Sequence, residues 1–322
     1  MSKFCELRFL KPIFPPKSRW SIEKDMPDML GKVVVITGGN SGIGYEIVRI
    51  LAYKNARVYF ASRNLEKSLK AAEKIRMATG NDNVLAYELD LSEISSIRSF
   101  VKIIKNRETN LHLLINNAGL IVTDQNLQFN SKGEELTWAS NVLGPFFLTK
   151  LLLPLMLATH ELDERAGRPR VIWISSSDHR LSVEGGINFE DIAMTDKLTS
   201  TVDPRYVQSK AANILQAKAL AAIYPKKIIS HAVHPGSINT GLFETIPKIE
   251  KLLHKPRQQP CYKGVLTPLY AATSSEAATM NGAYFVPGTR VGECRKDLSE
   301  PANAKKLWSF LEKRMECIDG SR

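Results

Sequence analysis

Tyr206 and Lys210 stand four residues apart in Tyr206-Val207-Gln208-Ser209-Lys210. On a helix, positions i and i+4 share one face, so the phenol and the ammonium point the same way. A free tyrosine titrates near 10 and is a poor base at neutral pH. A neighbouring ammonium favours the phenolate and lowers that pKa, which equips the pair for general acid/base chemistry. The same spacing also describes a surface Tyr and Lys on an amphipathic helix, so surrounding residues must decide between the two.

The segment Thr37-Gly38-Gly39-Asn40-Ser41-Gly42-Ile43-Gly44 follows the apolar run Lys32-Val33-Val34-Val35-Ile36 and precedes a helix-like pattern. A strand, a glycine-rich turn and a helix N-terminus make an anion site, because free backbone N–H groups and the helix dipole both favour a phosphate. Gly38 permits the tight turn, Gly42 lets backbone approach a pyrophosphate, and Gly44 lets the helix pack close to the strand. The spacing is Gly-x3-Gly-x-Gly rather than the commoner Gly-x-Gly-x-x-Gly of dinucleotide folds.

The elements that must hold these groups alternate along the chain. Buried strands are expected at Lys32–Thr37, Arg57–Ala61, Val84–Glu88, Leu111–Asn116, Arg170–Ser175, Ile228–His234 and Ala283–Val286. Helices are expected at Gly42–Lys54, Leu65–Thr79, Glu93–Asn106, Glu134–Leu157 and Tyr206–Tyr224. Alternation of this kind predicts an α/β fold, a mostly parallel sheet with helices on both faces. Without internal repeats or a long linker, residues 31–322 read as one domain preceded by a basic, Pro-containing arm over 1–30. Ligands of such sheets lie beyond the carboxyl ends of the strands. Thr37, Ser62-Arg63, Asp90-Leu91, Asn116-Asn117, Ser175-Ser176 and His234-Pro235 all follow expected strands.

Composition narrows the function classes. The net charge of +11 comes from 44 basic and 33 acidic residues spread through 322 positions. Even the densest basic stretch, Lys248–Arg257, contains Glu250, so the pattern reads as a solvated surface rather than a nucleic-acid footprint. A positive field also suits a phosphorylated cofactor. No run reaches the roughly 18 apolar residues that a bilayer span needs. The longest candidate, Leu151–Ala158, contains Pro154. Lys11, Pro12, Pro15 and Pro16 interrupt any signal-peptide core. A soluble, cytoplasmic protein is expected. Cys5, Cys261, Cys294 and Cys317 are scattered, and His231 and His234 flank a strand end, so neither a disulfide framework nor a metal site is expected.

Taken together, these pieces resemble the short-chain dehydrogenase/reductase family. The matching residues are Thr37-Gly38-x3-Gly42-Ile43-Gly44, Asp90, Asn116-Asn117-Ala118-Gly119, Asn141, Ser176, Tyr206-x3-Lys210 and Pro235-Gly236, in family order over roughly residues 30 to 290. Within the family the chain most resembles the retinol-dehydrogenase and WW-domain-oxidoreductase branch, through Val35–Gly44, Ala61-Ser62-Arg63-Asn64 and Ser175-Ser176-Ser177-Asp178-His179. No WW-module signature is present. The resemblance implies a doubly wound Rossmann fold with a seven-stranded, mostly parallel sheet. It implies that Tyr206 exchanges a proton with the substrate oxygen and that Lys210 lowers its pKa and holds the nicotinamide ribose. Ser176 would hydrogen-bond the substrate oxygen, and Asn141 would hold a water linking Lys210 to solvent. Gly38, Ser41, Gly42, Ile43 and Gly44 would cradle the cofactor. Asp90 and Leu91 would flank the adenine, Asn116 and Gly119 would border the ribose and nicotinamide end, and Ile238 and Thr240 would meet the carboxamide or pyrophosphate.

Further expectations concern this chain's own residues. Pro145 lacks the N–H that would bond the Asn141 carbonyl in a regular helix, which frees that carbonyl for a water; a packing kink beside Gly144 is the alternative. Ser176 and Tyr206 lie 30 positions apart, longer than the family's usual spacing, and the insertion, with His179, Gly185-Gly186 and Asp203-Pro204, is expected to loop near the substrate mouth. His179 there would either touch substrate or support the loop. At the end of the second strand, Arg63 stands where NAD-preferring folds usually place an acid, and its planar cation suits a 2′-phosphate. NADP(H) is therefore the expected cofactor, although Asn40-Ser41 replaces the Arg or Lys common in NADP enzymes. Residues 241–260 are expected to form a lid whose Leu242, Phe243, Ile246, Ile249, Leu252 and Leu253 favour a hydrophobic ketone, aldehyde or alcohol. The family's use of the helices here at Glu134–Leu157 and Tyr206–Tyr224 for pairing raises a homodimer as an expectation. Reduction of an activated C=C bond and a non-catalytic NADP(H)-binding regulator are the alternative functions.

Overall fold

Every residue of Val33–Thr37 is β-branched, and all five are buried. Branching at Cβ stiffens the side chain and favours the pleated conformation. A strand covered on both faces reads as such an uninterrupted apolar run. This strand, β1, pairs in parallel with β2 (Arg57–Ser62) on one side and β4 (Leu113–Asn116) on the other. The computed structural model describes residues 17–122, 127–162, 167–195, 203–238 and 259–320.

The remaining strands are β3 (Val84–Glu88), β5 (Arg170–Ile174), β6 (Ile229–Val233), β7 (Tyr284–Val286) and β8 (Arg290–Val291). They form one eight-stranded sheet in the order β3-β2-β1-β4-β5-β6-β7-β8. All neighbours are parallel except β7 and β8, which form an antiparallel hairpin. The eighth strand is an addition to the expected seven. It is two residues long and is turned back by Gly288 and Thr289, both at positive φ (86° and 55°). Too short to leave a periodic signal, it blunts the sheet edge.

Helices α1 (Gly42–Tyr53), α2 (Leu65–Thr79), α3 (Ile94–Arg107), α4 (Gly144–Leu162), α5 (Pro204–Ile223), α6 (Leu266–Thr273) and α7 (Pro301–Gly320) cover the sheet. One core joins α1, α2 and α6 to one face, with Ile47, Leu51, Ala72, Ile75 and Leu269 at its centre. The other joins α3, α4, α5 and α7, with Phe100, Phe146, Leu152, Leu215 and Leu311. Part of the arm belongs to the first core. Met26 and Met29 are buried in it, Trp20 packs edge-on against Tyr270, and Ser18 Oγ lies 2.6 Å from Thr289 Oγ1.

Two of these helices, α6 and α7, lie beyond the expected set. α7 packs along α5 and reaches α4, where Trp308 meets Phe146 edge-on at 4.9 Å and Lys150 pairs with Glu312 at 2.7 Å. Arg314 pairs with Glu134. The run Leu136–Glu161 corrects the expectation that no stretch has the length of a membrane span. By length and composition it is apolar enough, and 67% of its most apolar window is buried inside the molecule, as suits a core helix.

Within that run the helix is irregular. One turn, Leu136–Trp138, leads into a π segment, Ala139–Leu143, before α4 begins. The Gly144 N–H bonds the Ala139 carbonyl, five residues back. Pro145 follows and has no N–H to give in either register. Gly144 itself is where α4 touches the loop after β3, since a Cβ there would lie 2.0 Å from the Leu91 carbonyl oxygen. The π turn and the close approach coincide, so both readings of Pro145 and Gly144 concern one feature.

Candidate active site

The turn between β1 and α1 is shaped by its glycines. Gly38 and Gly42 have φ of 70° and 58°, and a Cβ on Gly44 would lie 2.1 Å from the Gly38 carbonyl oxygen. The turn therefore folds tightly onto the first turn of α1. Ser41 is its N-cap, exposed, and its hydroxyl makes no capping bond. Ile43 is buried behind the turn. Asn117 locks the turn from β4: its Nδ2 donates to the Thr37 carbonyl at 2.8 Å, while Thr37 Oγ1 accepts from the Asn117 and Ala118 amides. Its signal was present in the Asn-Asn-Ala-Gly motif, but its neighbour Asn116 was the residue singled out. The Asn116 side chain is buried and donates to Thr149 Oγ1 at 3.0 Å.

Arg63 is exposed just past β2, and Ser62 Oγ is already shared with Ser68 Oγ at 2.8 Å. Asp90 shapes its own loop by accepting from the Ser92 amide and hydroxyl, and Leu91 is buried beneath Gly144. Ile238 is buried, with its backbone bridged to Gln259. Thr240 and residues 241–258 of the expected lid lie outside the described residues.

Past the ends of β4, β5 and α5's first turn, four expected residues converge. Lys210 Nζ donates to the Ile174 carbonyl at 3.0 Å and lies 5.3 Å from the centre of the Tyr206 ring. Ser175 Oγ donates to the Lys210 carbonyl at 2.7 Å, tying α5 to the end of β5. The Ser176 side chain lies beside the Tyr206 hydroxyl, where it favours the ionised phenol. The Asn141 carboxamide is fully engaged, with Oδ1 accepting from Leu120 N (2.8 Å) and Nδ2 donating to Leu120 O (2.9 Å) and Ser209 Oγ (3.1 Å). Asn141 thus clamps the strand-β4 extension to the helix that carries Tyr206. A Cβ on Gly119 would lie 3.3 Å from Lys210 Nζ, so a side chain there would crowd the ammonium.

Burial governs the electrostatics. It pushes the Tyr206 phenol well above its ordinary range, the Asp178 carboxylate adds to this, and the Ser176 side chain opposes it. Burial lowers the Lys210 ammonium to about 8, with Asp178 opposing. Desolvation thus outweighs the lowering of Tyr206 expected from its lysine. The consequence for stability can be measured. Between about 8 and the unfolded value of 10.5, the unfolded chain binds the lysine proton and the folded chain does not. Stability from this group therefore rises with pH across that window, and below it the folded state carries the full cost of the buried charge. Lys210→Met is expected to raise stability at pH 7 by up to about 3 kcal/mol, a gain that shrinks to nothing near pH 10.5. Urea midpoints of both proteins at pH 7 and pH 10 check this; an unchanged difference would reject it.

The first part of the insertion after Ser176 is pinned rather than free. His179 is fully buried, and its Nδ1 lies 2.6 Å from the Ser176 carbonyl. A carbonyl only accepts, so Nδ1 carries the hydrogen, and burial lowers the imidazole to about 4. It supports the loop that presents Ser176. Farther on, Arg295 donates to the Ser182 and Val183 carbonyls, and Asp297 accepts from the Gly185 amide at 2.7 Å. His231 and His234 are buried too, the first with Nε2 3.1 Å from the Ala277 carbonyl. Among the described residues, no group of three or more His, Cys, Asp or Glu is placed to hold a metal ion.

The described geometry fits a dinucleotide: a turn that side chains would close, a helix N-terminus with an uncommitted cap hydroxyl, and an ammonium and phenol beyond it. Comparison with known proteins agrees. Residues 32–189 match the family model described as short chain dehydrogenase. A short-chain dehydrogenase/reductase of Armillaria gallica is 39% identical over 95% of this chain and 96% of its own length. Retinol dehydrogenase 12 of Bos taurus is 36% identical over 87% of this chain and 85% of its own. A crystal structure of an uncharacterized Mycobacterium paratuberculosis protein superposes with a TM-score of 0.68 at 26% identity, over 91% of this chain and 96% of that one.

Proposed function

The chain belongs to the short-chain dehydrogenase/reductase family and is most like its retinol-dehydrogenase branch, and from that premise we propose that it is an NADP(H)-dependent oxidoreductase of hydrophobic carbonyls and alcohols. The observation that carries this reading is the meeting of Ser176, Tyr206 and Lys210 at the carboxyl ends of the strands, beside the glycine turn.

When bound, the nicotinamide supplies or accepts the hydride. The chain's own residues do the rest. Backbone amides of Gly42, Ile43 and Gly44, with the Ser41 hydroxyl, meet the pyrophosphate. Arg63 takes the 2′-phosphate. Asp90 and Leu91 would border the adenine, Asn116 and Gly119 would line the path to the nicotinamide end, and Ile238 and Thr240 would meet the carboxamide or pyrophosphate. Tyr206 gives its proton to the carbonyl oxygen as the neighbouring carbon is reduced, or takes it from the alcohol in the reverse direction. A phenol with a raised pKa stays protonated and so carries the proton that reduction needs, while little of it is in the phenolate form that oxidation needs. Lys210 stabilises the phenolate left behind, and Ser176 donates to the substrate oxygen as charge develops there. The proton is restored through Lys210 and the Asn141 carbonyl, to which Pro145 has no N–H to offer. Apolar residues between Leu242 and Leu253 support a hydrophobic substrate.

Oxidation of NADPH and of NADH with a panel of hydrophobic aldehydes and ketones tests the reading. Arg63→Ala is expected to weaken NADPH binding by about 10- to 100-fold, the worth of a charge-assisted phosphate contact, and to leave NADH binding nearly unchanged. Equal loss for both cofactors would reject the NADP assignment. Alcohol products support carbonyl reduction, whereas a saturated ketone from an enone would support C=C reduction instead.

A further inference from the structure

We propose that Arg205 is a positioning residue that fixes Tyr206 against the chain segment 117–122, an inference that rests on the role of Tyr206 given above. Arg205 precedes Tyr206 and is only 4% exposed. Its guanidinium grips Asp203, with Nε 3.0 and 3.2 Å from the two carboxylate oxygens and Nη2 2.8 Å from one of them. Nη2 also donates to the Val122 carbonyl at 2.9 Å. Nη1 lies 3.9 Å from Glu135 Oε1, and Glu135 in turn accepts from the Thr137 and Trp138 amides at 2.9 and 2.7 Å.

Three segments therefore meet on one side chain: the start of α5, the extension of β4 and the start of the helix that leads to Asn141. Tyr206 is the third residue of α5. The first turn of a helix lacks intrahelical partners for its amides and is the turn that frays. Asp203 caps it by accepting from the Arg205 amide at 2.9 Å, and Arg205 holds Asp203 in place. From the opposite side Asn141 grips Leu120 by two bonds. Segment 117–122 is thus tied to α5 at both Leu120 and Val122, and the phenol keeps a set distance from that wall.

Packing alone does not call for a cation here. A buried ion cluster contributes little to stability compared with apolar residues of the same volume, although breaking it one partner at a time is destabilising. What the guanidinium adds is planar geometry, which serves a carboxylate in a fork and a carbonyl at once. A lysine ammonium has no such fork.

The test uses the full chain, with Arg205→Lys and with the charge-removing pair Arg205→Met, Asp203→Asn. We expect kcat to fall by about 10- to 100-fold in both, as for an angstrom-scale misplacement of a reacting group, with carbonyl KM and NADPH affinity within about threefold. The double variant should keep its melting transition. Hydrogen exchange at residues 120–122 and 205–207 should accelerate together, by about tenfold. Wild-type kcat in any folded variant would overturn the proposal, as would faster exchange in only one of the two segments. Failure of Arg205→Lys to fold would overturn it too, because Arg205 would then act on stability. If the wild type turns over no carbonyl, the proposed function fails by itself, and the exchange experiment still judges whether Arg205 couples the two segments.

Discussion

Tyr206→Phe is expected to lower kcat for carbonyl reduction by about 10²- to 10⁴-fold, the usual worth of a positioned proton donor. Phenylalanine keeps the ring that packs beneath Lys210 and removes only the hydroxyl. The Ser176 hydroxyl keeps its bond from the Asp178 amide at 3.3 Å. NADPH affinity should therefore stay within about threefold of wild type, because a group used in the chemical step changes turnover more than binding. The substitution is especially informative in this site because burial holds the phenol protonated. Reduction needs that proton, whereas oxidation needs it gone, so wild-type oxidation should fall off at low pH sooner than reduction does. Stopped assays with NADPH at saturation, paired with fluorescence titration of cofactor binding, separate the two effects. Turnover within about tenfold of wild type would remove Tyr206 from the proton step.

Gly44→Ala has the second large effect, and it acts on the cofactor. The added Cβ would stand 2.1 Å from the Gly38 carbonyl oxygen and 2.6 Å from Asn117 Nδ2. Neither neighbour can yield cheaply. The Gly38 oxygen belongs to a turn whose φ is already positive, and Asn117 is bonded to Thr37. Opening the turn is expected to cost about 1–3 kcal/mol of stability, as overpacking does, and to reduce NADPH affinity by about 100-fold or more as the amides lose their aim. Denaturant midpoints and cofactor titration measure both. A variant with wild-type affinity for NADPH would mean that the pyrophosphate does not use this turn.

Much of this site is legible in the sequence because its signals are local. Five consecutive β-branched residues before a glycine turn leave few alternatives for β1, and the i, i+4 spacing of Tyr206 and Lys210 survives in α5. What is hidden depends on distant partners. Asn141 looks like a water holder by resemblance, yet its side chain clamps Leu120, and only the fold brings those residues together. The π turn arises where Gly144 must approach the Leu91 carbonyl and Pro145 cannot donate, a coincidence of packing and covalent chemistry that no periodicity records. Arg205 gives no signal at all next to Tyr206, since its partners Val122 and Glu135 are far along the chain. Helix α7 is a different case. Ala304, Leu307, Trp308, Leu311 and Ile318 repeat at helical spacing after Pro301, so its signal is local and present in the sequence.

That same helix bears on association. By lying over α5 and the Phe146 side of α4, α7 covers that flank from within the chain. An occupant attached by a short connection competes at an effective concentration on the order of millimolar. A second molecule at ordinary working concentrations is outnumbered at that flank. Dilution then neither uncovers the flank nor frees it for a partner.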